Sequence, residues 1–359
     1  MLQSKIVLVL MLVIGYVQAA EEHLNITKPV LTAEFQGSEG NKEVEIENQT
    51  EDRAVTEEST EVAALKEKIK KLESELAEYR KGTPKAVTIA NETERTKVVE
   101  SPEQFVKGAK LMLGGEAPEY LTTYYVSNPQ SLDELKGKLK ANGFTVLAVT
   151  SILNGKMVIT ITNDELQKTN TLLATLHVLV NGEHEVRVQN PSYFGAAYLQ
   201  DKYKYGQFSE TLKALQAALG DMYEVNDKFE LDDLAKYQFM FGMPYLDDTI
   251  TVAEGDDLLE KVEGENASKY VAYTLELPNG TIIVGHKLKS RTKQFLKKIK
   301  VERNANILPY ESMIKEGKAV ILDPKYYLAL SLPLLHMSDF MKIASSPEEI
   351  KKDIKRAYK

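Results

Sequence analysis

The residues best suited to chemistry in this chain are its five histidines and ten methionines, because it has no cysteine. Imidazole is the commonest protein metal ligand, and thioether sulfur suits soft ions such as copper. His177 and His184 flank an Asn181-Gly182 pair. A two-residue turn there sets His177 opposite Val186 and His184 opposite Leu179. Both imidazoles then share one face as diagonal neighbours, about 7–8 Å apart at the backbone. No third ligand accompanies them, so a structural or solvated pair explains them better than a metal site. His336, Met337 and Met341, or Met240 with Met243, could offer copper a soft site, but adaptable core filling accounts for methionine more simply. No metal and no other cofactor is expected.

Other chemistries find less support. Without cysteine there is no thiol catalysis, thiolate metal site, iron–sulfur ligation or disulfide. No phosphate-cradling or dinucleotide glycine loop occurs, nor a Gly-x-Ser-x-Gly elbow or His-Glu-x-x-His pair. The acid pairs Asp232-Asp233, Asp247-Asp248 and Asp256-Asp257 sit at expected element starts, where capping and solubility explain them. No catalytic residue is therefore assigned, and a non-enzymatic role is favoured over an enzyme. Tyr193, Tyr198, Tyr203 and Tyr205 follow one Asn-Pro, and Tyr326 and Tyr327 follow an Asp-Pro. They could wall a cleft for an apolar or sugar ligand, but packing of a helix on its sheet is the better account.

One charged stretch stands apart. Lys287, Lys289, Arg291, Lys293, Lys297, Lys298, Lys300 and Arg303 face Glu302 alone, while Phe295, Leu296 and Ile299 are kept for the core. A solvated face, or one neutralised by acidic chain elsewhere, is the simpler reading; an anionic partner such as lipid headgroups at residues 287–303 is the other. The whole chain carries 45 Lys and Arg against 53 Asp and Glu, a net charge of −8, which argues against a nucleic-acid partner.

The elements that would position these residues follow in order. Lys5 precedes an uncharged run ending Val17-Gln18-Ala19-Ala20, which predicts a secretory signal (1–20) cleaved after Ala19 or Ala20; an uncleaved anchor is the alternative. Residues 21–60 are acidic and apolar-poor and predict a disordered spacer. Within 61–82, Val62, Leu65, Ile69, Leu72, Leu76 and Tyr79 alternate at three and four, as a and d of a heptad. The g residues Glu61, Lys68 and Glu75 oppose the e residues Lys66, Glu73 and Arg80 in sign, which a parallel homodimer or homotrimer through residues 61–80 requires. A connector (83–118) carries one helix, from Ser101-Pro102-Glu103 to Leu113.

Two lobes then read alike. In the first (119–222), a strand from Leu121 to Val126 leads to a helix capped by Ser131, a hairpin turning at Asn154-Gly155, and a helix from Asn163 to about Leu173. A second hairpin at Asn181-Gly182 and a helix opening at Asn190-Pro191 complete it. After a helical linker (223–247), the second lobe (248–359) repeats the order. Its strand at Thr249 is followed by a helix near Leu258, a hairpin at Asn279-Gly280, a helix capped by Ser290, a hairpin of Leu308–Met313 with Ala319–Leu322, and a helix at Asp323-Pro324. A terminal helix begins at Ser346. A length of 359 residues suits more than one core.

This order, with Gly143-Phe144 opening the first hairpin and Leu308-Pro309, Gly317 and Asp323-Pro324 in the second lobe, resembles the bacterial domain-of-unknown-function family 302, taken as two copies over about residues 120–345. The first lobe lacks the Leu-Pro. The resemblance implies a small α+β layer and assigns no catalytic residue.

The expected fold is thus α+β: two tandem two-layer α/β-sandwich lobes preceded by a signal peptide and a short parallel coiled coil. The expected function is that of an exported, bacterial periplasmic, non-enzymatic binding or scaffold protein. The alternative is a small-ligand- or metal-handling module with a site between the lobes.

Overall fold

The computed structural model describes residues 108–181 and 185–359, in which alternating apolar residues build two antiparallel sheets flanked by helices, a mixed α+β fold. The expected signal sequence, acidic spacer and coiled coil, with Val62, Leu65, Ile69, Leu72, Leu76 and Tyr79, lie outside the described residues, as does His184.

The chain runs β1 (Tyr120–Thr122), β2 (Tyr124–Ser127), α1 (Leu132–Ala141), β3 (Thr145–Leu153), β4 (Lys156–Thr162), α2 (Asp164–Gln167), β5 (Leu176–Asn181), β6 (Glu185–Gln189), α3 (Pro191–Leu199), α4 (Ser209–Leu219), β7 (Tyr223–Glu224), β8 (Lys228–Glu230) and α5 (Leu231–Leu234). It continues through β9 (Thr249–Glu254), α6 (Leu258–Glu263), β10 (Val271–Glu276), β11 (Ile282–His286), α7 (Phe295–Lys298), β12 (Tyr310–Lys315), β13 (Lys318–Leu322), α8 (Pro324–Ser331), α9 (Met337–Lys342) and α10 (Ser346–Ile354). The first sheet is ordered β3-β4-β5-β6-β2-β7 and the second β10-β11-β12-β13-β9, while β1 and β8 pair separately.

Local signals set many of these boundaries. Gly155, at φ 70°, turns β3 into β4 with Leu153 opposite Lys156. Ser131 caps α1 by accepting from Glu134 N. Asn190 and Asp323 cap α3 and α8, accepting from Ser192 N at 2.9 Å and Lys325 N at 2.8 Å, and each precedes a proline.

Elsewhere the sequence expectation is corrected. The strand expected over Leu121–Val126 breaks into β1 and β2 at Thr123, whose N–H donates to Asp227 O at 2.7 Å. The helix expected to reach Leu113 does not. Gly108 N donates to Glu224 O and Leu111 N to Met222 O in extended pairing, and a Cβ at Gly108 would lie 2.6 Å from Glu224 O. The linker 223–247 is not mainly helical: β7 extends the first sheet beside β2, and β8 pairs with β1. The helix expected to run to Leu173 ends at Gln167, because Asn170 takes φ 52° and Thr171 caps a separate 3-10 turn. Ser290 does not cap a helix. The Asp353 carboxylate, from α10, instead accepts from Lys289 N at 3.0 Å and Thr292 Oγ1 at 2.7 Å, and a 3-10 turn over Thr292–Gln294 leads into α7.

The described residues form one compact unit. Among the described residues no helix is long and apolar enough to cross a membrane.

Candidate functional site

The register of β5 with β6 decides the histidine question. Val180 lies opposite Val186 and Asn181 opposite Glu185, which leaves residues 182–184 between the strands, one more than a two-residue turn. His177 therefore sits by Gln189, not Val186, and its N–H donates to Gln189 Oε1 at 2.8 Å. The expected pairing of His177 opposite Val186 is thus corrected, while His184 lies outside the described residues. Among the described residues no group of three or more His, Asp or Glu could hold a metal ion.

His177 is instead buried in a seam between the two sheets. Its Nδ1 lies 2.9 Å from Asn306 O, and since a carbonyl only accepts, Nδ1 carries the proton. Nε2 stands 3.4 Å from Glu311 Oε1 without hydrogen-bond geometry. Glu311, on β12, accepts from Thr175 Oγ1 and from Tyr273 OH. Gly285 permits the latter, because a Cβ there would fall 2.1 Å from the Tyr273 ring. Farther along, Arg187 donates from Nε to Glu185 Oε1 at 3.0 Å and from Nη1 to Asn304 Oδ1 at 2.9 Å. Asn304 Nδ2 then donates to Asp227 Oδ2 at 3.0 Å.

The tyrosines belong to the same seam. Tyr124 OH donates to Ser331 O at 2.7 Å and Tyr193 OH to Leu330 O at 2.8 Å. Both acceptors lie in the last turn of α8, where helical carbonyls have no partner within the helix. Side chains from β2 and α3 thus cap a helix flanking the other sheet. Burial pushes both phenols well above their usual range, so they remain donors. Tyr326 and Tyr327 are buried as well, and Tyr327 OH donates to Ile307 O at 2.8 Å. Of the six tyrosines weighed as a cleft wall, Tyr205 is exposed and Tyr198 and Tyr203 are half-buried.

The remaining candidates disperse. Exposed His336 precedes α9, Met337 packs against the core, and Met341 is 70 % exposed, which divides the three between core and solvent. Met240 and Met243 are half-buried in a turn. In the basic stretch Lys287, Lys289, Arg291, Lys297, Lys298 and Lys300 are exposed and Lys293 is half-buried. Lys297, Lys298 and Lys300 make no ion pair among the described residues.

Two features were missed in the sequence. Glu185, Arg187 and Gln189 alternate with Val186 and Val188, the pattern of a strand with one wet face, yet both faces are buried. Charged residues on a central strand were the available signal. The second feature is a groove of about 260 Å³ between β3 and the end of β11. His286 lines it, and its Nε2 lies 2.8 Å from Ser312 Oγ, a spacing that a nucleophile and base would share. Ser312 is fully buried and also bonded to Tyr358 OH at 2.6 Å, and His286 Nδ1 has no carboxylate to orient it. The pair therefore reads as part of the packing.

No protein-family model, no curated protein and no solved structure matches the chain.

Proposed function

We propose that the chain is an exported, non-enzymatic binding or scaffold protein of a bacterial periplasm, gathered into a parallel homodimer or homotrimer by residues 61–80. One observation carries this reading. His177 and Tyr193, which the sequence offered for chemistry, are engaged in bonds joining the two sheets, alongside Arg187 and Glu311. Such bonds build a rigid head rather than a reactive centre.

The head consists of two copies of one α+β unit. In support, β2 through β6 and β9 through β13 run in the same order, the first strand of each set beside the last, and each set ends in a capped Pro-initiated helix. That element order also underlies the resemblance to the bacterial domain-of-unknown-function family 302. The signal at residues 1–20 directs export, and residues 21–60 are an acidic spacer ahead of the coiled coil. The exposed face at Lys297, Lys298 and Lys300 is offered to an anionic partner.

Light scattering tests the assembly. The chain from residue 21 is expected to give a dimer or trimer, and the chain from residue 84 a monomer. An unchanged mass after the deletion would overturn the coiled-coil reading.

A further inference from the structure

The groove between the sheets is lined by Thr150 of β3, by His286, Lys287 and Lys293, and by Leu308 and Pro309, and none of its lining residues is acidic. Two buried polar atoms of this lining lack a hydrogen-bond partner: Thr150 Oγ1, on a residue 7 % exposed, and His286 Nδ1, on a residue 1 % exposed. Such atoms cost stability unless something in the cavity meets them.

The hydrogen-bond chain behind the imidazole fixes what His286 offers. Tyr358 OH, Ser312 Oγ and His286 Nε2 lie in series at 2.6 and 2.8 Å. If Nε2 carried the proton, the chain would run toward Tyr358 and leave the phenol proton without an acceptor among the described residues. The opposite polarity uses the phenol, the stronger donor, on Ser312 and directs the serine O–H at Nε2, which accepts. Nδ1 then carries hydrogen and is the donor left over. Lys287 Nζ donates to Ser268 O at 2.9 Å and Lys293 Nζ to Ser151 O at 3.1 Å, so each ammonium retains two further protons. Every polar group offered can therefore donate, Thr150 through a hydroxyl that also accepts, and the rest of the lining named here is apolar.

We propose that this groove binds a small organic anion, a carboxylate or phosphomonoester on a compact apolar body. His286 Nδ1, Thr150 Oγ1 and the two ammonium groups hold the charged end, and Leu308 and Pro309 receive the apolar end. The inference goes beyond the scaffold reading: it concerns the head alone and stands whether or not the chain oligomerises.

Calorimetric titration of the chain from residue 21 at low salt, with benzoate, phenyl phosphate, benzyl alcohol and inorganic phosphate, tests it. Saturable binding of benzoate or phenyl phosphate is expected, with benzyl alcohol at least about 10-fold weaker, as loss of charge-assisted hydrogen bonds implies. Lys293→Met, at a half-buried position that leaves the core intact, should weaken the aromatic anion by about 10-fold. The proposal is overturned if neither aromatic anion saturates, if benzyl alcohol binds equally well, if inorganic phosphate matches phenyl phosphate, or if Lys293→Met binds like the parent. Light scattering on the same samples reports the oligomer separately, so the two readings can fail independently.

Discussion

His286 is a neutral imidazole because of where it sits. Burial alone holds its pKa down to about 3 from the usual 6.5. Below pH 6.5 the unfolded chain takes up a proton that the folded chain refuses, so stability is full above that pH and declines toward pH 3. The limiting slope for one such group is about 1.4 kcal/mol per pH unit. Chemical denaturation of the parent and of His286→Gln should therefore show a stability difference that shrinks in this direction between pH 7 and pH 4. A difference independent of pH would mean that the folded and unfolded chains bind the proton equally and that burial does not lower the pKa. Asp353 opposes this trend: burial raises its pKa, which favours the folded state as the pH falls, and comparison with the variant cancels that contribution.

At the scale of elements, the two Pro-initiated helices differ in what their caps hold. Asp323 makes the cap bond alone, and Asp323→Ala should cost about 1 kcal/mol, as for an ordinary cap. Asn190 is fully buried, and its Nδ2 also donates to Thr122 O at 2.7 Å. Asn190→Ala should cost about 2–3 kcal/mol, since it also strands a buried carbonyl. Urea melts of both variants check the ranking, and equal losses would deny the second bond its value. These caps were legible in the sequence because their geometry is local: an Asn or Asp, then a proline, after an apolar run. The Asn154-Gly155 turn was legible for the same reason. The β5–β6 register was not, because a one-residue difference in connection length is invisible without the partners that Gln189 and Glu185 find. The short pieces at α2 and α7 escaped detection because Asn170 and Asp353 break or anchor them, and the second of these lies far away in sequence.

At the scale of the whole molecule, the mixed α+β class was legible from alternating strands and capped helices, but the seam was not. Its members, Glu311, Arg187, Asn304 and Asp227, come from segments far apart in sequence, 117 positions in the case of Arg187 with Asn304, and their polarity suggested solvent. The seam also predicts how the head unfolds. Residues 248–359 alone would expose the apolar and polar groups that meet the first sheet, so this fragment should lack a cooperative thermal transition by circular dichroism, while residues 101–359 melt in one step. A fragment that melts cooperatively would show that the seam is an accessory to two self-sufficient lobes.

The tyrosine contacts across this seam have one more consequence, for how the sequence can change over generations. The acceptors at Ser331, Leu330 and Asn306 are main-chain carbonyls, whereas the donors are the side chains of Tyr124, Tyr193 and His177. Any residue supplies a carbonyl, but few supply a hydroxyl or an N–H at that reach. Drift is therefore unequal on the two sides: these bonds fix the side chain in the N-terminal half, whereas at the three buried C-terminal positions only packing constrains it.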